Sequence, residues 1–317
     1  MRYTIQHITR FQYDRPVRES VTELRMQPRS EGKQLCVNFS ISVQPHVAVS
    51  SYQDFMLNTV HHFDIPALHT ELLLQADATV EVMPFSTLPD ALPAISWDAL
   101  DGEARDIHWD YVNPSDFAQS TPLLLTMAKE LKLGRLADPL TTLIKLNKSI
   151  YEGFDYAPQS THVESRIDEA LKVRRGVCQD FTHIMITLGR MVGIPCRYVS
   201  GYLFHRNEDE DRSAEDATHA WMEAWLPELG WIGFDPTNNL IAGERHIRVA
   251  IGRDYADVPP TRGTFKGDAT ERLGVGVRVA LSDYQEKPGE ILLNETPMKP
   301  REAFNGRAKQ QAAMQQQ

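Results

Sequence analysis

The chain opens on an alternation. Tyr3, Ile5, His7, Thr9, Phe11 and Tyr13 share one parity, with polar residues between most of them. The same period of two returns over Val37, Phe39, Ile41 and Val43, and again over Leu72, Leu74, Ala76, Ala78, Val80 and Val82. Side chains alternate sides along an extended backbone, so each run reads as a half-buried strand. Strands without helical stretches between them predict a small all-β, sandwich-like domain over 1–85. Pro84, Pro89 and Pro93 then interrupt the chain, and little periodic pattern follows until about Ser115. That stretch, 86–118, reads as a connecting segment.

Beyond it the period changes to 3.6. Thr121-Pro122 and Asp138-Pro139 each set a capping side chain before a proline at a first helical position. Leu140, Leu143, Ile144, Asn147 and Ile150 follow as a helical stripe with one polar gap, and Ser165 to Val173 reads as a further short helix. From Cys178, the residues Phe181, Ile184, Met185, Leu188, Met191 and Val192 trace an amphipathic helix that Gly193-Ile-Pro195 closes. Thr218 to Leu226 alternates again, with His219, Trp221, Glu223 and Trp225 on one parity. Trp231 to Asp235 is a second short strand. A hairpin folded about Pro227 sets His219 opposite Asp235, since each lies eight residues from it. The resulting division is a core over 119–265 and a C-terminal extension over 266–317. Its Gln- and Ala-rich tail, from about Gly306, has the composition of disorder.

Composition narrows the function classes. Hydrophobic residues make up 42% of 317 and charged residues 24%, which suits an ordinary folded core. A net charge of −10 without a basic patch argues against nucleic acid as a partner. Cys36, Cys178 and Cys196 are too few for a disulfide framework, and an odd count leaves a thiol free. No secretory h-region and no apolar run of membrane-spanning length stands out, so the expectation is a cytoplasmic protein with no membrane partner.

Cys178 falls in the first turn of its helix, where unpaired N–H groups and the helix dipole favour a thiolate and could hold an oxyanion. The alternative for such a residue is an inert buried thiol. His219 in turn reads either as a base for that thiol or as an ordinary core histidine. A thiol, an imidazole and a carboxylate in the order Cys178, His219, Asp235 have the makings of an activated nucleophile. Cofactors are not expected. Cys178, His183, Cys196, His61 and His62 were weighed as zinc ligands, but Cys178 and His183 point about 140° apart on one helix and no Cys-x2-Cys or His-x3-His pair occurs. The run Glu208 to Asp211, with Glu215 and Asp216, lacks the order of a calcium loop. It reads as a solvated turn that flanks the cleft.

Taken together, Arg175-Gly-Val-Cys178-Gln-Asp-Phe, Gly193-Ile-Pro-Cys-Arg-Tyr-Val-Ser-Gly-Tyr202, His219-Ala-Trp-Met-Glu and Trp231-Ile-Gly-Phe-Asp235-Pro-Thr-Asn resemble the transglutaminase-like superfamily. The likeness is to its bacterial branch of predicted cysteine proteases, over roughly 120 to 260, with a β-rich N-terminal region before it. The resemblance implies an α+β, papain-like core in which a nucleophile helix packs on an antiparallel sheet. It implies Cys178 as nucleophile, His219 as base and then acid, and Asp235 as the group that orients His219. The branch commonly has alanine where this chain has Cys196, which reads as a buried small hydrophobe.

Around that centre, Tyr156 is expected to line the site and donate to the oxyanion, or else to pack at the foot of the helix. Gln179 and Asp180 are substrate-side candidates that could equally cap the helix. Trp221 and Asp254 complete the expected cleft, the latter as a wall contact. The function these readings imply is hydrolysis of an amide in a peptide or protein substrate through an acyl-enzyme. Transfer of the acyl group to an amine uses the same residues, and a peptide-binding module without turnover is the reading from another class.

Overall fold

Five strands come first: β1 (Arg2–Leu24), β2 (Gln34–Gln44), β3 (Ser50–Gln53), β4 (Thr59–Ile65) and β5 (His69–Val82). Helices dominate the middle, as α1 (Ser96–Asp101), α2 (Glu103–Ile107), α3 (Pro122–Glu130) and α4 (Pro139–Gly153), then β6 (Asp155–Tyr156), α5 (Ile167–Val173), β7 (Arg175–Gly176) and α6 (Cys178–Met191). The strands β8 (Cys196–Leu203), β9 (His219–Leu226), β10 (Gly230–Asp235), β11 (Leu240–Ile241) and β12 (His246–Gly252) follow, and β13 (Thr261–Lys266), β14 (Glu271–Leu281) and β15 (Asn294–Glu295) end the order. The computed structural model describes residues 1–85, 87–158, 160–206, 208–282 and 293–295. The tail expected to be disordered lies outside them.

β1 organises the N-terminal layer. Its first half pairs with β5 on one side and β14 on the other, and its second half pairs with β4 and β13. The register slips between Gln12 and Val17, so the strand turns from one half of a curled antiparallel sheet into the other. Phe11, Leu24, Phe63, Leu72, Leu74 and Phe265 fill the space between the halves. The alternation at the start of the chain is borne out, with Tyr3, Ile5, His7, Thr9, Phe11 and Tyr13 all buried. β13 closes the core sequence and β14 lies beyond it, so the layer takes strands from the start of the chain and from after the second sheet.

The second sheet is antiparallel, in the order β11-β10-β9-β8-β12. One face carries α6, with Met222 and Ala224 of β9 in the same apolar cluster as Phe181, Ile184 and Leu188. Tyr202, Ile247 and Val249 of β8 and β12 pack instead against Tyr3, Ile5, Val80 and Val277 of the first sheet. Among the described residues, no helix is long and apolar enough to cross a membrane.

Helix starts fall where the capping chemistry sets them. Thr121 Oγ1 accepts from the Leu124 N–H at 3.2 Å, and Asp138 Oδ1 from the Thr141 N–H at 3.0 Å. α5 starts two residues later than Ser165, whose hydroxyl is taken by the His162 N–H at 2.9 Å and donates to Glu169 at 2.8 Å. The amphipathic reading of α6 needs a correction: every position from Cys178 to Arg190 is buried. Its polar face meets the stretch between the two layers, where Phe117 stacks on His183 at 5.3 Å and Arg190 donates to the Asn113 carbonyl at 2.9 Å. A polar face satisfied by backbone carbonyls needs no water. That stretch also holds α1 and α2, short helices that the sparse periodicity did not predict.

Candidate active site

α6 starts on a carboxylate that reaches backwards. Asp180 Oδ2 accepts from the Val177 N–H at 2.9 Å and from Thr161 Oγ1 at 2.6 Å. A Cβ at position 176 would lie 2.7 Å from that oxygen, so glycine is what lets the carboxylate close the turn. Burial pushes the Asp180 carboxyl up to about 6, against the lowering effect of its Thr161 and Val177 donors. Cys178 is set in the first turn, only 1% exposed. Parallel pairing of β6 with β7 lays Tyr156 beside Gly176, two residues before the thiol. Burial, then the neighbouring Cys178, raises the Tyr156 phenol well above its ordinary range.

His219 is the first residue of β9 and Asp235 the last of β10. The hairpin register differs from the expectation: Phe234 pairs with Met222, so Asp235 lies across from Trp221. The turn is centred one residue later than Pro227, which moves each partner by two. A shift of two keeps the same face, and a diagonal neighbour remains within side-chain reach. His219 Nε2 therefore still meets Asp235 Oδ2 at 2.8 Å.

Asp235 is fully buried and heavily donated to. Oδ1 accepts from the Thr237 N–H at 3.0 Å and the Asn238 N–H at 3.2 Å, and Oδ2 from His219 at 2.8 Å, Asn238 Nδ2 at 2.9 Å and His246 Nε2 at 3.3 Å. Burial alone would raise its pKa, but the charge and hydrogen bond of His219, then those of His246, hold it far below the usual carboxylate range. Burial likewise disfavours the imidazolium of His219. Asp235, and after it the Cys178 side chain, outweigh burial and raise His219 to about 10. With Nε2 on Asp235, the remaining ring nitrogen Nδ1 is buried without a hydrogen-bond partner.

Trp221 stacks on His219 with ring centres 6.1 Å apart. Gly201 and Gly233 make room for the indole, as a Cβ on either would come within 2.8 and 3.3 Å of it. For Gln179 and Asp180 the structure shows the helix-bracing contacts that were their alternative. Gln179 Nε2 donates to the Val163 carbonyl at 2.9 Å, and Asp180 caps its own helix, so both brace α6. Asp254 accepts from the Phe117 N–H at 2.7 Å and the Ala256 N–H at 2.9 Å; burial raises its carboxyl, but the charge of His183 and these donors hold it below its ordinary range. His183 lies about 140° around the helix from Cys178. Through Phe117, Asp254 anchors the stretch between the layers.

The acidic run is solvated in part, with Glu208, Glu210 and Glu215 exposed, but Asp209 and Asp211 are paired. Arg245 Nη1 reaches Asp211 at 2.6 Å and Asp209 at 2.9 Å, while Asn238 Oδ1 accepts from the Arg212 N–H at 2.7 Å. These contacts hold Asp209, Asp211 and Arg212 beside the site. Two residues in the network, Asn238 and His246, were not expected. The alternation of Ile247, Val249 and Ile251 predicts a strand there, but no periodic signal aims His246 at Asp235. His219, Asp235 and His246 also bring ligand atoms within 4.8 Å of one another, a spacing that a metal ion could bridge. The bonding fits a proton network instead, because Asp235 Oδ2 already accepts three N–H donors.

Most of the chain has counterparts. A family model for the transglutaminase-like superfamily matches residues 127–236, and one for the bacterial transglutaminase-like N-terminal region matches 3–81. An uncharacterised Mycobacterium leprae protein is 32% identical over 281 residues, covering 88% of this chain and 98% of its own. A protein-glutamine gamma-glutamyltransferase of Pseudomonas aeruginosa is 29% identical over 165 residues, 46% of this chain and 23% of its own. The crystal structure of a candidate cysteine protease from Cytophaga hutchinsonii superposes with a TM-score of 0.69 at 22% identity, over 94% of this chain and 98% of that one. The last likeness is one of fold.

Proposed function

The chain belongs to the transglutaminase-like superfamily, and from that premise we propose that it is a thiol-dependent hydrolase of amide bonds in peptides or proteins. The observation that carries the reading is the buried pair at 2.8 Å between His219 Nε2 and Asp235 Oδ2, which leaves Nδ1 as the ring nitrogen for the Cys178 side chain. Nδ1 holds the thiol proton as part of an imidazolium, and Sγ attacks the amide carbon as a thiolate. The tetrahedral oxyanion is held by N–H groups at the start of α6 and by the Tyr156 hydroxyl. The C–N bond breaks, Nδ1–H protonates the leaving amine, and a thioester remains on Cys178. Water, deprotonated by the same nitrogen, then releases the acid and restores the thiol. Asp235 keeps the ring in the required tautomer and balances the imidazolium charge.

An amine in place of water makes the same centre a transglutaminase, the second reading, which the name of the Pseudomonas aeruginosa relative supports. The deciding experiment incubates the protein with denatured casein in ¹⁸O-water, with and without a dansylated primary amine, and follows products by mass spectrometry. ¹⁸O-labelled carboxylates at new chain ends support the peptidase reading, whereas dansyl adducts on glutamine replace it with transfer. Neither product in wild type, or both undiminished in Cys178→Ala, sinks the thiol mechanism.

A further inference from the structure

One oxygen of Asp235 carries two imidazoles, and only one of them has a thiol to serve. The second, His246, is the first residue of β12 and is buried. Its Nδ1 accepts the Gly243 N–H at 3.3 Å. A neutral imidazole has one donor and one acceptor nitrogen, so this contact puts the ring proton on Nε2. Nε2 in turn points at Asp235 Oδ2, 3.3 Å away. The edge of Trp221 packs against the same ring at 5.1 Å and 75°, and the His219 ring lies 6.1 Å away.

We infer that His246 is a positioning residue: as a neutral Nε2–H imidazole it shares Asp235 Oδ2 with His219, fixes the carboxylate, and limits how tightly that carboxylate holds the imidazolium. The inference rests on the proposed Cys178–His219 pair. Its physical basis is competition for one acceptor. A carboxylate oxygen offers about two lone-pair sites and three donors share Oδ2, so removing one lets the others bond more closely. The charged groups facing His246 are Asp235 at the end of β10, His219 at the start of β9 and Arg245 beside it in sequence. Burial, with the positive charges of His219 and Arg245, outweighs Asp235 and keeps His246 neutral. Two imidazolium ions on one buried carboxylate would repel each other, so His246 remains neutral when His219 is charged.

The test uses the full chain labelled with ¹⁵N-histidine. Nitrogen shifts should show His246, identified by its loss in His246→Gln, as the neutral Nε2–H tautomer between pH 5 and 8. An Nδ1–H tautomer, or a doubly protonated ring at neutral pH, overturns the inference. In His246→Leu, which keeps bulk but donates nothing, the His219 titration should move to higher pH. A more tightly held imidazolium favours the thiolate, so iodoacetamide labelling of Cys178 below neutral pH should rise about 5-fold, what one lost hydrogen bond is worth. His246→Gln keeps an N–H and should restore both readouts. If neither readout moves in His246→Leu while His219→Ala slows labelling, the inference fails and the thiol–imidazole reading stands. If labelling in His219→Ala equals that in wild type, the reading beneath it fails. Should His246→Leu not fold, the tautomer in wild type decides.

Discussion

His219 and Asp235 bond at 2.8 Å although neither is the other's direct partner across the β9–β10 hairpin. The diagonal geometry has a use. It leaves Trp221, the residue across from Asp235, free to lie over the imidazole, and so walls one face of the ring with an indole. The ring is thereby restrained by a hydrogen bond at one end and by packing on a face.

Removal of the thiol or the imidazole tests the chemistry directly. Cys178→Ala and His219→Ala should each reduce turnover by at least ~10³-fold, with near-ultraviolet circular dichroism unchanged. A variant that retains a tenth of wild-type turnover would show that the residue is not part of the reaction.

Tyr156 separates a donor from a packing group. Its place beside Gly176 is fixed by backbone pairing, which Tyr156→Phe leaves intact. Loss of one oxyanion donor should lower kcat roughly 10²-fold while KM changes little. An unchanged kcat would reduce Tyr156 to a packing role.

Asp180 imposes a pH dependence on stability. Its folded pKa, about 6, stands above the ordinary value of 3.8. The contribution of the neutral carboxyl is therefore fully present below the unfolded pKa and is lost as pH rises through 6. Asp180→Asn keeps an acceptor for Val177 without the charge. Its melting temperature should gain on wild type between pH 4.5 and 7.5, and a constant difference over that range would contradict the assignment.

Gly176→Ala should be costly for a position in ordinary backbone. The new methyl would sit 2.7 Å from Asp180 Oδ2 and 3.2 Å from Ala170 Cβ. Relieving it means displacing the cap, at about 1–3 kcal/mol. Urea unfolding measures the loss, and a variant within 0.5 kcal/mol of wild type, roughly the range of a surface change, would show that the turn has slack.

The loop docked by Arg245 bears on access to the thiol. Cys178, His219 and Asp235 are 1%, 2% and 0% exposed, so a reagent reaches Sγ only when something moves. Arg245→Gln removes the pairs with Asp209 and Asp211. Labelling of Cys178 by iodoacetamide should accelerate several-fold, and an unchanged rate would locate the opening elsewhere.

Much of this architecture is written locally. The parity of β1 and β5, the caps at Thr121 and Asp138, and the placing of Cys178 in a first turn each depend on residues a few positions apart. Hydrophobic period reports which side of an element is buried, and capping chemistry reports where it begins. The order of Cys178, His219 and Asp235 was legible for the same reason, since a helix start and a hairpin are short-range structures.

What the tertiary structure decided is which surfaces meet. The polar side of α6 looks like a face for water until Phe117, Asn113 and Arg253 are folded over it. Asp209 and Asp211 look as solvated as the glutamates around them until Arg245 pairs with both. His246 stands eleven residues from Asp235 along the chain and reaches it only because β12 pairs with β8 at the far edge of the sheet. No local period encodes such pairings. They follow from the free energy of burying whole faces at once, which is summed over the fold and not over any stretch of sequence.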